Sequence, residues 1–151
     1  MSVACVCYVG RQSEPLCFRV YGDTEELPMQ FAAYAALDVI DERLASEQQP
    51  GAPGGPSGGD SYLGLAGPSL GTAQDASLFA YAAPTGLKII VALTLRGALQ
   101  EQELRAFFKR LHRLYADAVS NPFFLDTVET PRFLSQLDAI VQYYTDRLET
   151  P

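Results

Sequence analysis

The sequence predicts an α+β domain, an antiparallel sheet with helices on its faces, in the element order β-β-α-β-β-β-α-α. Three observations predict it. Five short runs rich in β-branched, aromatic and small residues are separated by turn-forming clusters. Three longer segments repeat apolar residues at helical spacing. The chain has 151 residues, 48% of them hydrophobic and 19% charged, which suits a single domain with its own core.

The first two runs, 3–9 and 15–21, flank a segment of turn composition at 10–14 and read as an opening hairpin. A turn centred near Gln12 would bring Cys7 and Cys17 close to facing each other. A helix follows over about 25–46. Wound at 100° per residue, Met29, Ala33, Ala36, Leu37, Ile40 and Leu44 form one stripe. Asp38, Asp41 and Glu42 lie on the other side, and so do Phe31 and Tyr34.

Residues 50–59 are mostly Gly and Pro, so the stretch of about 47–60 reads as a flexible loop inside the single domain 1–151. Strand signals resume at 62–65, 77–83 and 87–95, with Pro84-Thr85-Gly86 as a tight turn between the last two. The run 87–95 is the most hydrophobic in the chain, as a central strand requires. Leu104, Phe107, Phe108, Leu111, Leu114, Tyr115, Ala118 and Val119 then keep helical spacing until Asn121-Pro122. Thr130-Pro131 restarts a helix with a capping hydroxyl and a proline suited to the first turn. Its stripe is Phe133, Leu134, Leu137, Ile140, Val141, Tyr144 and Leu148.

The formal charge is -7, with a pI near 4.6. That argues against nucleic acid as the main partner, because phosphate binding draws on a basic footprint. Cys5, Cys7 and Cys17 are odd in number and crowded near the start, unlike the spread, even set of a secreted disulfide domain. With no basic flank ahead of an apolar run, and no stretch of membrane-spanning length, a reducing cytosolic setting is expected.

Chemistry-bearing groups are few. Cys5, Cys7 and Cys17 with His112 could supply soft metal ligands, but structural zinc sites prefer wider spacing on loops, and these cysteines lie on strand-like segments. A Cys–His nucleophilic pair would have to use His112, the single histidine. The Gly-rich segment lacks a phosphate-loop pattern. No catalytic residue, metal or cofactor is expected.

Two surface features are sharper. Arg105, Lys109 and Arg113 line up at i, i+4 and i+8, with Arg110 a little off the row. They form either a solvated helix face or a patch for an acidic partner or anionic headgroups. Phe31, Tyr34, Asp38 and Glu42 lie opposite the core stripe of the first helix. Either they make a partner contact with an apolar centre and a charged rim, or the helix is covered on both sides within its own domain.

Several segments resemble a known family. Leu37-Asp38-Val39-Ile40-Asp41-Glu42 resembles the L-D-L/V-V/I-D-E motif on the first helix of sedlin-like subunits of TRAPP, the trafficking protein particle complex. Asn121-Pro122-Phe123-Phe124 is similar to that family's N-P-F-Y/F corner. Tyr62-Leu63-Gly64-Leu65, Lys109-x-Leu111-His112-x-x-Tyr115-x-Asp117 and Pro15-Leu16 followed by Phe18-Arg19 look like the subunit 2-like branch. The resemblance spans nearly the whole chain, in order.

It implies a longin-like fold: a five-stranded antiparallel sheet with one helix on one face and two on the other. It also implies a non-catalytic small subunit of a tethering assembly in ER-to-Golgi and Golgi traffic. That assembly promotes nucleotide exchange on Rab-type small GTPases. The implied partners are other TRAPP subunits and, indirectly, the GTPase. The implied location is cytoplasmic, peripheral at ER-Golgi intermediate and Golgi membranes through the complex. Asp38 matches the first Asp of the motif, which looks like a subunit-contact position, while Asn121, Pro122 and Phe123 match the structural corner. The segments 50–59 and 125–130 depart from the family pattern. A longin-type adaptor or SNARE-regulating module outside TRAPP would use the same faces. A small thiol or metal enzyme built on Cys5, Cys7, Cys17 and His112 is the other alternative.

Overall fold

The computed structural model describes residues 2–10, 12, 14–21, 26–47, 62–68, 77–94, 100–120 and 130–145. Strand β1 (Ser2–Val9) and strand β2 (Pro15–Val20) precede helix α1 (Glu26–Glu47). Strands β3 (Tyr62–Pro68), β4 (Ser77–Ala82) and β5 (Lys88–Thr94) follow, and helices α2 (Glu101–Val119) and α3 (Pro131–Thr145) come last. The strands pair in the order β2-β1-β5-β4-β3, with every neighbouring pair antiparallel. This is the α+β class that the pattern of runs predicts. The Gly/Pro-rich stretch at 48–61 and the corner residues Asn121, Pro122 and Phe123 lie outside the described residues, as do the side chains of Leu44 and Leu148.

β5 lies between β1 and β4, and its side chains alternate between two buried faces. Ile90 and Ala92 join the α1 layer, while Ile89, Val91 and Leu93 face α2 and α3. Under α1, Met29, Ala33, Ala36, Leu37 and Ile40 pack on Ala4, Cys5, Cys7, Leu78 and Ala80. The alanines on both surfaces let the helix approach the sheet closely. On the opposite face, Leu104, Phe107, Phe108 and Leu111 of α2 meet Phe133, Leu137, Ile140, Val141 and Tyr144 of α3. Each large side chain fully buried there contributes roughly 1.5–3 kcal/mol, so either stripe suffices to dock its helix.

Local chemistry sets the ends. Gly86 has φ of 99°, and its N–H donates to the Ala83 carbonyl at 2.9 Å, closing the β4–β5 turn. The Thr130 hydroxyl accepts from the Phe133 N–H at 3.2 Å, capping α3 with Pro131 at its first position.

Two polar ties lock the α2–α3 layer to the sheet. The fully buried Tyr8 donates its hydroxyl to the Leu111 carbonyl at 2.7 Å, and its ring packs edge-on against Phe133. Arg19 on β2 meets Asp138 of α3 through two parallel hydrogen bonds of 2.9 and 2.8 Å, and the Tyr21 hydroxyl donates to the same carboxylate at 2.9 Å.

One expectation fails in the hairpin. Tyr8 pairs with Cys17 and Cys7 with Phe18, with a register irregularity between Tyr8 and Val9. Because side chains alternate with a period of two, that one-residue displacement sends Cys17 to the α2–α3 side. Cys5 and Cys7 face α1 instead. The three thiols therefore cannot ligate one ion.

Candidate partner interface

α1 is apolar on two opposite sides. Its inner stripe is buried against the sheet as the helical periodicity predicts. Its outer side carries Leu27, Phe31 and Tyr34, exposed to 66%, 72% and 45%. With Asp38 and Glu42, both exposed, these residues stand at i, i+4, i+7, i+11 and i+15, one stripe along roughly 22 Å of helix at 1.5 Å per residue. No described residue of the domain covers this face. Large apolar side chains aligned in a stripe, rimmed by charge, mark a contact surface more often than scattered ones do.

The acidic end of the stripe has one internal counterion. Lys88, at the start of β5, is only 8% exposed, and its ammonium meets the Asp41 carboxylate at 2.5 Å. Asp41 is thus tied to the sheet, although its side chain remains half exposed. Among the described residues, no cation stands within ion-pair distance of Asp38 or Glu42. Both carboxylates lie on the C-terminal half of α1, beyond the apolar part of the stripe.

Of the residues singled out in the sequence, Phe31, Tyr34, Asp38 and Glu42 share one exposed face. Leu27 escaped notice, although its spacing to Phe31 and Tyr34 is the signal that finds it. Lys88 also escaped, hidden in an otherwise apolar run. The basic row divides: Lys109 and Arg113 are exposed, Arg105 is half-buried and engaged in interactions of its own, and Arg110 lies over Tyr143, its guanidinium carbon 5.4 Å from the ring centroid.

The groups proposed for chemistry occupy structural positions. Cys5, Cys7 and Cys17 are free and buried. Burial pushes the Cys7 thiol from 9.0 up to about 12, and Cys5 is raised by the same desolvation, with the nearby thiols adding to it. A thiol so disfavoured as thiolate is a poor nucleophile. His112 is half-buried, with Nδ1 3.2 Å from the Tyr81 hydroxyl.

The domain thus buries its three cysteines and turns an apolar and acidic face of α1 to solvent. The family model for sedlin matches residues 9–143, and the chain belongs to the sedlin family. It is 28% identical over 145 residues to the trafficking protein particle complex subunit 2-like protein of Dictyostelium discoideum, covering 92% of this chain and 96% of that one. It is 26% identical over 127 residues to the protein of the same name from Bos taurus, covering 80% and 81%. The Mus musculus protein of that name matches at the same 26% over 127 residues.

Proposed function

We propose that this chain is a small, non-catalytic subunit of a trafficking protein particle complex, and that it joins the complex through the outer face of α1. The observation that carries the reading is the exposed stripe of Leu27, Phe31 and Tyr34 running into Asp38 and Glu42. The names of the similar proteins from Dictyostelium and cattle support the choice of assembly. The fold in this reading is longin-like. The work of the subunit is architectural: it holds neighbours in place within an assembly that promotes nucleotide exchange on a Rab-type GTPase in ER-to-Golgi and Golgi traffic. It reaches those membranes peripherally, through the complex, and no described helix is long and apolar enough to cross a membrane.

The stripe also constrains what it meets. Apolar anchors at i, i+4 and i+7 of a helix fit an apolar groove or sheet face on the partner. Asp38 and Glu42, both exposed at one end of the stripe, call for lysine or arginine at the matching end of that groove.

The test is the native species. A tagged copy is purified gently from its own cells, sized, and its companions identified by mass. Co-elution with other TRAPP subunits is expected. A lone chain of 16.4 kDa contradicts the proposal, and a stable set of companions without TRAPP subunits assigns the domain to an adaptor outside that complex.

A further inference from the structure

We propose that the outer face of α2 and α3, centred on Lys109, Arg110, Arg113 and Tyr143, is a second docking surface, and that its occupant is an acidic segment of a partner protein. This face lies across the sheet from α1, because α1 and the α2–α3 pair cover opposite sides. Lys109, Arg110 and Arg113 are all exposed. They concentrate positive charge on one helix of a chain whose net charge is -7.

The arrangement is more than a solvated row. Arg110 lies over the Tyr143 ring at 5.4 Å and near the Tyr144 ring at 5.8 Å. Tyr143 is 50% exposed, an aromatic surface standing beside Arg110. A cation over a ring face is attracted by it, and an exposed guanidinium still offers several N–H donors to a carboxylate. Tyrosine beside arginine is also the composition that dominates binding energy at protein interfaces.

Charge selects protein over lipid. Lys109 and Arg113 are one helical turn apart, and the exposed carboxylates Glu101 and Asp117 stand further along α2 on either side. A flat anionic bilayer would lie against those carboxylates as well as against the cations. A protein segment need only cover the patch. Carboxylates facing Lys109 and Arg113, with an apolar side chain against Tyr143, would complement this face.

The test uses the tagged chain with the companions it brings from its own cells. A water-soluble carbodiimide joins a lysine amine to a carboxylate in contact with it, so the cross-linked peptides report what touches Lys109. The expected result is Lys109 joined to an Asp or Glu of another chain. In the double variant Lys109→Glu/Arg113→Glu, recovery of that chain should fall by about tenfold or more, because like charges then face each other. Both positions are exposed, so the melting temperature should stay unchanged, and companions held at α1 should be retained. Absence of any intermolecular link at Lys109, or undiminished recovery of every companion by the double variant, overturns the proposal. So does binding of the wild type, but not the variant, to phosphatidylserine vesicles with the companions undisturbed, which would assign the face to a membrane.

Discussion

Cys7 lies under α1, and withdrawal from water holds its thiol protonated well past the pH at which a free thiol ionises. The consequence for stability has a definite sign. Below pH 9 the thiol is protonated in both states and its burial is fully compatible with the fold. Between pH 9 and about 12 the unfolded chain releases this proton and the native chain keeps it. The native state then binds more protons, and stability falls as pH rises, by up to about 1.4 kcal/mol per pH unit from this group. Urea midpoints measured from pH 8 to pH 10.5 should fall more steeply for the wild type than for Cys7→Ala. Equal slopes, or free-thiol reactivity of the folded protein at pH 8, would contradict this placement. The sequence made all three cysteines legible as strand residues, because small apolar groups fit a pleated core. Their division between the two faces was not legible, since it depends on where the hairpin register slips. Nothing in the residue types at Tyr8 and Val9 announces that irregularity.

α1 shows what a helical period can and cannot reveal. The inner stripe from Met29 to Ile40 follows from 3.6-residue spacing, and the exposed aromatics emerge as its opposite. What spacing cannot supply is the partner of each charge. Asp41 reads as one of three similar carboxylates until the sheet brings Lys88 beneath it. That pair makes an asymmetric prediction. Asp41→Ala strands a buried ammonium and should cost about 2–3 kcal/mol, the cost of breaking a buried pair reduced for Asp41's exposure. Lys88→Met removes the buried charge and leaves Asp41 able to take water, so it should cost less than about 1 kcal/mol. Urea denaturation of both variants decides the matter: a smaller loss for Asp41→Ala than for Lys88→Met would show that the pair does not anchor α1 in this way. The second and third helices were legible for simpler reasons. Their apolar faces are single, and Thr130 and Pro131 mark the start of α3 by chemistry local to the chain.

At the scale of the whole molecule, the α+β class follows from counting runs, and the central place of β5 from a run that is apolar from Ile89 to Leu93. The side-chain ties that fix the layers, Tyr8 to Leu111 and Arg19 to Asp138, join residues more than a hundred positions apart and leave no local trace. The result is a domain with its helices divided between two faces, one outer surface acidic and apolar, the other basic and aromatic. Such a body suits a subunit set between neighbours, and the account stands or falls on the α1 surface. The most direct measurement compares the wild type with Asp38→Tyr, each purified from its own cells through a tag, sized and analysed for companions. The account predicts a folded variant with an unchanged melting temperature that has lost the large assembly, or retains about a tenth of it or less. A variant that assembles as well as the wild type would contradict the interface, and one that fails to fold would place Asp38 inside the structure rather than on its contact face.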